Sequence, residues 1–460
     1  MKNKKKILVI LKIDIDVRNF IASDLLSKIA NRAEVLLVIP QRFVSILDKS
    51  ILKKFQVTYL EHYQPNRFRA WWLDIVRTGS SFQRRTLNAT YKAKARERIL
   101  IYRNKVLFKR LLIYFPRHLL LFLLSFIFDL EKFACKIENL FRARKDTLGL
   151  IKEFRPDIVF SPTLIHEIGD VEIAKAAKSQ KIPLVNFVSS WDNLTSKGFF
   201  LIRPDCLLVW GQADKDSAVN EHGFDEEQVF VTGAPHFDQY FNKSSMICRD
   251  DFLRNRGLDP HKKIILFAGT TLSKHINEPL ILEKLSNYLL ESNINNVLIW
   301  YRPHPRAMRS DAIKKLDRMT NIYVDDQIKE ICNNIQLKNQ YSICPDTLTH
   351  YHNLINSCEG VVSVFSTVAV EFALFGKPGI LVNFNLDTEE IPSYAHISPL
   401  LNWKGLVVVN DFHSLTMNVK KMLGGTFKKY ADQLQYEANK IAFNKDGQSQ
   451  KRIINALLKK

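Results

Sequence analysis

The residues best suited to chemistry in this 460-residue chain fall in three stretches. Residues 360–384 read GVVSVFSTVAVEFALFGKPGILVNF. The apolar start predicts a buried strand ending at Ser363 to Phe365, and Ser366 and Thr367 stand where a helix should begin. Hydroxyls and free backbone N–H groups at a helix start make an anion site suited to a diphosphate. Glu371, four residues past Thr367, falls on the same helical face, where a carboxylate can accept hydrogen bonds from vicinal ribose hydroxyls. The competing reading is plain capping by Ser366 or Thr367 beside a solvated glutamate. YRPHP at 301–305 offers a fixed cation, Arg302, and a switchable one, His304, which a departing nucleotide diphosphate requires as charge builds on its oxygens. Alternatively, Pro303 and Pro305 only shape a turn and Arg302 pairs with a surface acid. SSWDNLTSKG at 189–198 crowds Trp191, Asp192, Asn193, Thr195, Ser196 and Lys197 into one loop after a predicted strand, and such loops carry function. Asp192 suits deprotonation of an acceptor hydroxyl, and Lys197 suits an anionic substrate group. Asp192 as a turn or cap residue is the equal alternative, and Asp14, Asp16 and His166 are rival bases by position.

Strands must hold these loops in place. Runs rich in Ile, Val and Leu occur at 6–13, 35–39, 55–60, 157–160, 183–188, 206–210 and 228–233. A second series follows at 263–269, 297–302, 322–324, 360–365, 379–384 and 405–410. They alternate with segments of helical period, the pattern of parallel sheets with crossover helices. The fold class expected is α/β, with two Rossmann-like doubly wound domains facing a cleft and a helical basic and apolar insertion in the first. The boundaries expected are 1–245, with the insertion at about 65–150, then 246–426, then helices at 427–460 returning to the first domain. Doubly wound sheets place ligands at the carboxyl ends of their strands. VTGAPHFD at 231–238 closes the last strand of the first half, and its Gly233 fits an interdomain turn, with His236 and Asp238 shaping the hinge.

The late serine-threonine turn, helix, glutamate and Gly376-Lys377-Pro378 turn resemble the donor-binding half of GT-B glycosyltransferases of the bacterial surface-polysaccharide type. By that resemblance Ser366 and Thr367 match the phosphate-contacting turn and Glu371 matches the ribose-binding acid. Gly269, Thr270 and Thr271 match the small and hydroxylated residues that open the donor pocket. The R-P-H-P of residues 302–305 is similar to sequences of CDP-glycerol polyol-phosphate transferases and capsule glycosyltransferases. The likeness covers residues 262–384 closely and the first half in outline. It implies a metal-independent glycosyltransferase with no permanently bound cofactor and a nucleotide sugar as co-substrate. Asp192, Arg302 and His304 would be catalytic, and Trp191, Asn193, Lys197 and His166 would hold a glycan or lipid-linked acceptor. The alternative enzyme is a CDP-glycerol or CDP-ribitol polyol-phosphate transferase, whose histidine-rich acceptor site has no strong equivalent here. A non-catalytic nucleotide-binding or scaffold protein is the alternative of another class.

Charge adds a partner. The chain carries a net +20. Eleven of the residues from Ser81 to Arg117 are Lys or Arg, against one acid, Glu97, so about half of the excess is concentrated there. HLLLFLLSFIF follows at 118–128, too short to cross a bilayer, which needs roughly 20 residues. Basic beside apolar suits an anionic membrane surface and predicts a cytoplasmic protein peripheral to the inner face of the cytoplasmic membrane. A buried core helix with a solvated charged face is the plainer reading. Nucleic acid is not expected, because no helix-turn-helix, zinc-finger or RNP signature is present. The six cysteines form no C-x-x-C pair and read as reduced thiols. The basic, apolar N-terminus is interrupted by Lys12 and Asp14 and reads as a first strand, not a secretory signal. Asp14-Ile15-Asp16 as a D-x-D metal motif does not fit a two-half architecture. P-loop, H-E-x-x-H, G-x-S-x-G and G-x-G-x-x-G motifs are missing, which argues against P-loop kinases, zinc proteases, serine hydrolases and NAD dehydrogenases.

Overall fold

Each predicted apolar run forms a strand in the computed structural model: β1 Lys6–Ile10, β2 Glu34–Pro40, β3 Gln56–Leu60, β4 Ile158–Ser161, β5 Leu184–Phe187, β6 Cys206–Val209 and β7 Val229–Val231. The second series gives β8 Lys263–Ala268, β9 Val297–Arg302, β10 Ile322–Val324, β11 Cys358–Ser363, β12 Gly379–Val382 and β13 Leu406–Val409. The structure describes residues 4–459 except 44–46, 48–52, 61–64, 85–114, 163–167, 198, 242–245, 271–276, 305–309, 334–344, 385–393 and 444–445. Strands such as β1, β4, β5 and β6 are apolar on both faces and buried on both, as parallel sheets covered by helices require.

The chain forms two compact units. The first comprises Met1–Gly233, Tyr394–His396 and Gln450–Lys460, and the second comprises Ala234–Ser393 and Ile397–Ser449. Among the described residues the first unit holds a seven-stranded parallel sheet in the order β3-β2-β1-β4-β5-β6-β7. The second holds a six-stranded parallel sheet in the order β10-β9-β8-β11-β12-β13. Both orders reverse direction beside the first strand, at β1/β4 and at β8/β11. That is the topological switch point at which open α/β sheets bind ligands.

Local chemistry explains where elements stop. β1 ends at Ile10 rather than at Ile13 because Asp16 Oδ2 accepts the N–H groups of Lys12 (3.0 Å) and Ile13 (3.1 Å), drawing the chain out of the sheet. Asp16 is fully buried in this capping role, which corrects its standing as a rival base.

Helices α1 (Arg67–Arg84), α2 (Phe115–Ile127) and α3 (Leu130–Leu140) make up the described part of the insertion. α1 packs on both α2 and α3. Arg69 of α1 pairs with Glu138 of α3 through both guanidinium ends. Lys175 joins the group 3.2 Å from Glu138 and 2.7 Å from Glu172. All four side chains are buried, and a buried pair of this kind holds because each charge is matched. Most of the basic residues between Ser81 and Arg117 lie outside the described residues.

The remaining helices that bear on function are α4 (Asn193–Ser196), α5 (Gln212–Asn220), α6 (Glu278–Glu291), α7 (Pro345–Ser357), α8 (Thr367–Leu374) and α9 (Ala431–Ile441). The last segment does not return to the first unit as one piece from residue 427. α9 packs on α8 within the second unit, and only Gln450–Lys460 belongs to the first. Gly376 permits this: its φ is +67°, and a Cβ there would sit 3.0 Å from Ala431 Cβ.

Candidate functional site

Sheet register gathers one group of the expected residues in the second unit. Ala268 of β8 pairs with Ser363 of β11 on one side and with Arg302 of β9 on the other. The carboxyl ends of the three strands therefore lie side by side. Gly269 and Thr270 leave β8 there, Pro303 and His304 leave β9, and Ser366 and Thr367 open α8 just beyond β11. Ser366 is the N-cap residue of α8 with extended backbone (φ −152°, ψ 165°), and its side chain makes no capping hydrogen bond. Of the first-turn N–H groups, that of Ala369 donates to the Ser366 carbonyl at 3.1 Å, and a helix start of this kind is a place where anions bind. Nearby, the Ser363 hydroxyl is buried without a hydrogen-bond partner among the described residues.

The turn after β8 is built closely. Gly269 N–H donates to the Arg302 carbonyl at 2.9 Å, and a Cβ on Gly269 would meet His304 N and Pro303 Cα at 2.9 Å. Glu278, in the first turn of α6, accepts the Thr270 N–H at 2.6 Å and the Tyr301 hydroxyl at 3.1 Å. Burial pushes its carboxyl up, and the two hydrogen bonds pull against that shift. Sequence reasoning missed Glu278, because an acid at a helix start is ordinarily a capping residue. Thr271 lies outside the described residues.

Arg302 does not follow the alternative reading, in which it pairs with a surface acid: its partner is internal. Its Nη1 donates to Asp325 Oδ2 at 2.6 Å, and Asp325 is fully buried. Asp325 Oδ2 also accepts from Trp300 Nε1 (2.9 Å) and lies 3.2 Å from His350 Nε2. Burial pushes the Asp325 carboxyl up, but Arg302 and His350 outweigh it and hold the group well below the usual carboxylate range. Arg302 Nη2 also donates to Gln327 Oε1 at 3.4 Å, so both ends of the guanidinium are oriented from within the second unit. Glu371 is not the solvated residue of the competing reading. It is buried in α8 and hydrogen-bonds the Tyr351 side chain of α7. Lys377 of the Gly-Lys-Pro turn donates to the Asn356 carbonyl at 2.7 Å and also to that of Cys358, which anchors the turn to the end of α7.

A second group lies in the first unit after β5. Asp192 Oδ2 accepts the Ser196 hydroxyl at 2.9 Å. The Thr195 hydroxyl lies 3.1 Å from the Asp192 carbonyl and 3.2 Å from His396 Nδ1. Trp191 meets the His396 ring edge to face at 5.3 Å. Trp191 and Asn193 are buried, and Asp192 and Lys197 are half-buried. Asp214 of α5 is a second carboxyl here: burial pushes it up, and the Asp192 charge adds to the shift. Neither Asp214 nor His396 stood out in the sequence, and His396 arrives from residues 394–396, far along the chain. His222 ties this loop to the insertion, with Nε2 2.9 Å from the Leu194 carbonyl and Nδ1 3.2 Å from Glu131 Oε2. His166 lies outside the described residues. His236 is buried, and Asp238 accepts the Ser449 N–H at 2.9 Å.

The insertion shows a third feature. Leu119, Leu120, Leu123, Phe126 and Ile127 of α2 are exposed, Ile127 to 71%, and Phe133 and Leu140 of α3 extend the apolar surface. No helix among the described residues is long and apolar enough to cross a membrane.

Comparison with solved structures agrees with this architecture. Over 98% of this chain and 96% of the other, the fold is similar to the S. aureus MnaA–UDP co-structure, at 12% identity and a TM-score of 0.53. It is also similar to UDP-GlcNAc 2-epimerase from Neisseria meningitidis bound to UDP-GlcNAc, covering 99% and 100% of the two chains at 13% identity and a TM-score of 0.50. A glycosyltransferase from Rickettsia africae ESF-5 matches over 99% of both chains at 11% identity and a TM-score of 0.50. These likenesses establish a GT-B fold of two Rossmann-like domains. No curated protein matches the sequence. The family CDP-Glycerol:Poly(glycerophosphate) glycerophosphotransferase matches residues 203–459, which include every strand end gathered in the second unit. With more than half of its length so matched, the chain belongs to the CDP-glycerol:poly(glycerophosphate) glycerophosphotransferase family.

Proposed function

We propose that this transferase moves a polyol phosphate from a CDP-activated donor to a glycan or lipid-linked acceptor in the synthesis of a bacterial surface polymer. The observation that carries the reading is the register that sets Ala268, Arg302 and Ser363 side by side at the switch point of a sheet lying within the family match. In this reading Gly269, Thr270, Ser366 and Thr367 offer backbone N–H groups and hydroxyls to the diphosphate. Glu371 accepts from the ribose diol. Arg302 and His304 stabilise the charge that grows on the departing nucleotide.

In the first unit, Trp191, Asn193 and Lys197 hold the acceptor, and Asp192 takes the proton of its hydroxyl. The hydroxyl oxygen bonds to the donor's β-phosphorus, the phosphoanhydride bond breaks, and CMP leaves with the bonding electrons. The chain's own cations neutralise CMP, so the reaction needs neither a resident metal nor a permanently bound cofactor. A second reading, glycosyl transfer from a nucleotide sugar, is favoured by the turn-helix-glutamate arrangement of Ser366, Thr367 and Glu371. The two differ in product. Polyol-phosphate transfer releases a nucleoside monophosphate, whereas glycosyl transfer releases a nucleoside diphosphate. Incubation with CDP-glycerol and a glycerol-phosphate acceptor should release CMP in step with polymer growth. Release of a nucleoside diphosphate from a nucleotide sugar instead would select the second reading. Nucleotide binding without turnover of either donor type, unchanged by Glu371→Ala, would indicate a non-catalytic protein.

The exposed face of α2, together with the basic stretch before it, supports attachment to an anionic membrane at the inner face of the cytoplasmic membrane, where the acceptor is carried. Flotation with vesicles containing anionic lipid should carry the protein upward. Leu120→Ser with Leu123→Ser and Phe126→Ser should leave it in the soluble fraction. Equal flotation of both proteins would remove the membrane assignment.

A further inference from the structure

Helix α7 contributes no residue to the site just described, yet two consecutive side chains on it reach both of its charged groups. His350 is buried, with Nδ1 2.8 Å from Arg256 Nη2 and Nε2 3.2 Å from Asp325 Oδ2. A guanidinium can only donate. Nδ1 is therefore the acceptor, and the ring donates to Asp325 through Nε2–H. This bond fixes the carboxylate that in turn grips Arg302 at 2.6 Å.

The next residue points about 100° around the helix. Tyr351 lays its ring 5.2 Å from the Arg302 guanidinium carbon, and its hydroxyl hydrogen-bonds Glu371. Burial and the Glu371 charge push the phenol well up, so it stays neutral and donates to the carboxylate.

Asp325, Asp326 and His350 lie within 4.8 Å of one another, the spacing of a cation site. Two guanidinium groups already occupy them, Arg302 on Asp325 and Arg256 on Asp326 at 3.1 Å. A further cation would meet that positive charge, so the cluster is better described as an ion-pair hub.

The geometry points to His350 and Tyr351 as positioning residues of the nucleotide site: His350, through Asp325, sets the guanidinium that faces the diphosphate, and Tyr351 sets the Glu371 carboxylate for the ribose diol. This inference rests on the reading of that site as the binding place of a cytidine diphosphate. It predicts that α7 separates the two recognition tasks, because neighbouring residues serve different parts of the ligand.

The test is calorimetric titration of the full chain with CDP and with 2′,3′-dideoxy-CDP, which lacks the diol. Tyr351→Phe keeps the ring and loses the hydroxyl. It should weaken CDP about fivefold, the worth of one hydrogen bond, and leave dideoxy-CDP unchanged, so the wild-type preference for CDP collapses. His350→Leu should weaken both ligands by the same factor, about fivefold or more, with their ratio preserved. His350→Gln, which can still accept from Arg256 and donate to Asp325, should restore binding. A wild-type CDP to dideoxy-CDP ratio in Tyr351→Phe overturns the inference. So does undiminished binding in a folded His350→Leu protein, and Tyr351→Phe decides the matter alone if His350→Leu does not fold. Glu371→Gln and Arg302→Met separate the two levels. If neither weakens CDP, the nucleotide site itself is wrong and this inference goes with it. If both do while the α7 variants bind normally, only the positioning role is lost.

Discussion

Asp325→Asn should be the most costly single change in the second unit. The carboxylate is fully buried, and one oxygen serves Arg302 Nη1 at 2.6 Å, Trp300 Nε1 at 2.9 Å and His350 Nε2 at 3.2 Å. The other lies 3.3 Å from the Ile328 N–H. Asparagine has nearly the same shape but carries no charge, and its amide nitrogen cannot accept from any of these donors. Arg302, itself buried, would lose its counter-ion. Breaking a buried pair from one side costs about 3–5 kcal/mol, so the variant should unfold at markedly lower urea, read by tryptophan fluorescence.

The pH dependence gives a second handle. Asp325 is held below its ordinary value of 3.8 in the folded state. Its contribution is therefore fully present above that value and is lost as pH falls toward the folded value. The difference between wild type and variant should stay constant from about pH 8 to pH 5 and narrow below about pH 4. Adding Arg302→Met to Asp325→Asn should recover part of the loss, since no unpaired charge remains. A variant within about 1 kcal/mol of wild type at pH 7, or a gap that does not narrow in acid, would refute this account.

Other perturbations test neighbouring parts of the architecture. Gly269→Ala would press a methyl group against backbone on one side and Glu278 Oε2, at 2.7 Å, on the other. It should cost about 1–3 kcal/mol and weaken CDP binding, and an unchanged melting temperature would contradict the packing described. Gly376→Ala combines a φ of +67° with the contact to Ala431. A loss of about 1–2 kcal/mol is expected by chemical denaturation, and an alanine variant as stable as wild type would count against the α8–α9 packing. Glu278 holds its proton more tightly when folded, so it contributes stability at low pH that is lost as pH rises. The melting temperature of wild type relative to Glu278→Gln should therefore fall between pH 4 and pH 8, and the opposite slope would sink the assignment.

The sheets were legible because most of their strands are short runs rich in Val, Ile and Leu, a signal that survives without knowledge of tertiary partners. β5, β6 and β11 appear within a residue or two of the predicted limits. Ser366 was likewise readable as a helix start. Its hydroxyl does not cap the helix, and the sequence could not show that, because capping depends on rotamer and not on residue type. Arg302 illustrates the larger gap. Its position at a strand end followed from the pattern, but its partner lies on the adjacent strand β10's exit, 23 residues later, and long-range pairing has no local signature. His350 and Tyr351 sit in a polar helical stretch that reads as surface, and only the packing of α7 gives them buried partners. Glu371 was visible as an acid one turn into α8, whereas its burial against Tyr351 was not. His396 was the least accessible to sequence reasoning, since nothing near it in the chain signals that residues 394–396 belong with the first unit.

The most direct test is a crystal structure of the full chain with CDP-glycerol bound. It should place the diphosphate within hydrogen-bonding distance of the Ser366 and Thr367 N–H groups, with the ribose hydroxyls on Glu371 and the β-phosphate near Arg302 and His304. A ligand bound away from the ends of β8, β9 and β11, with those side chains unchanged, would contradict the account.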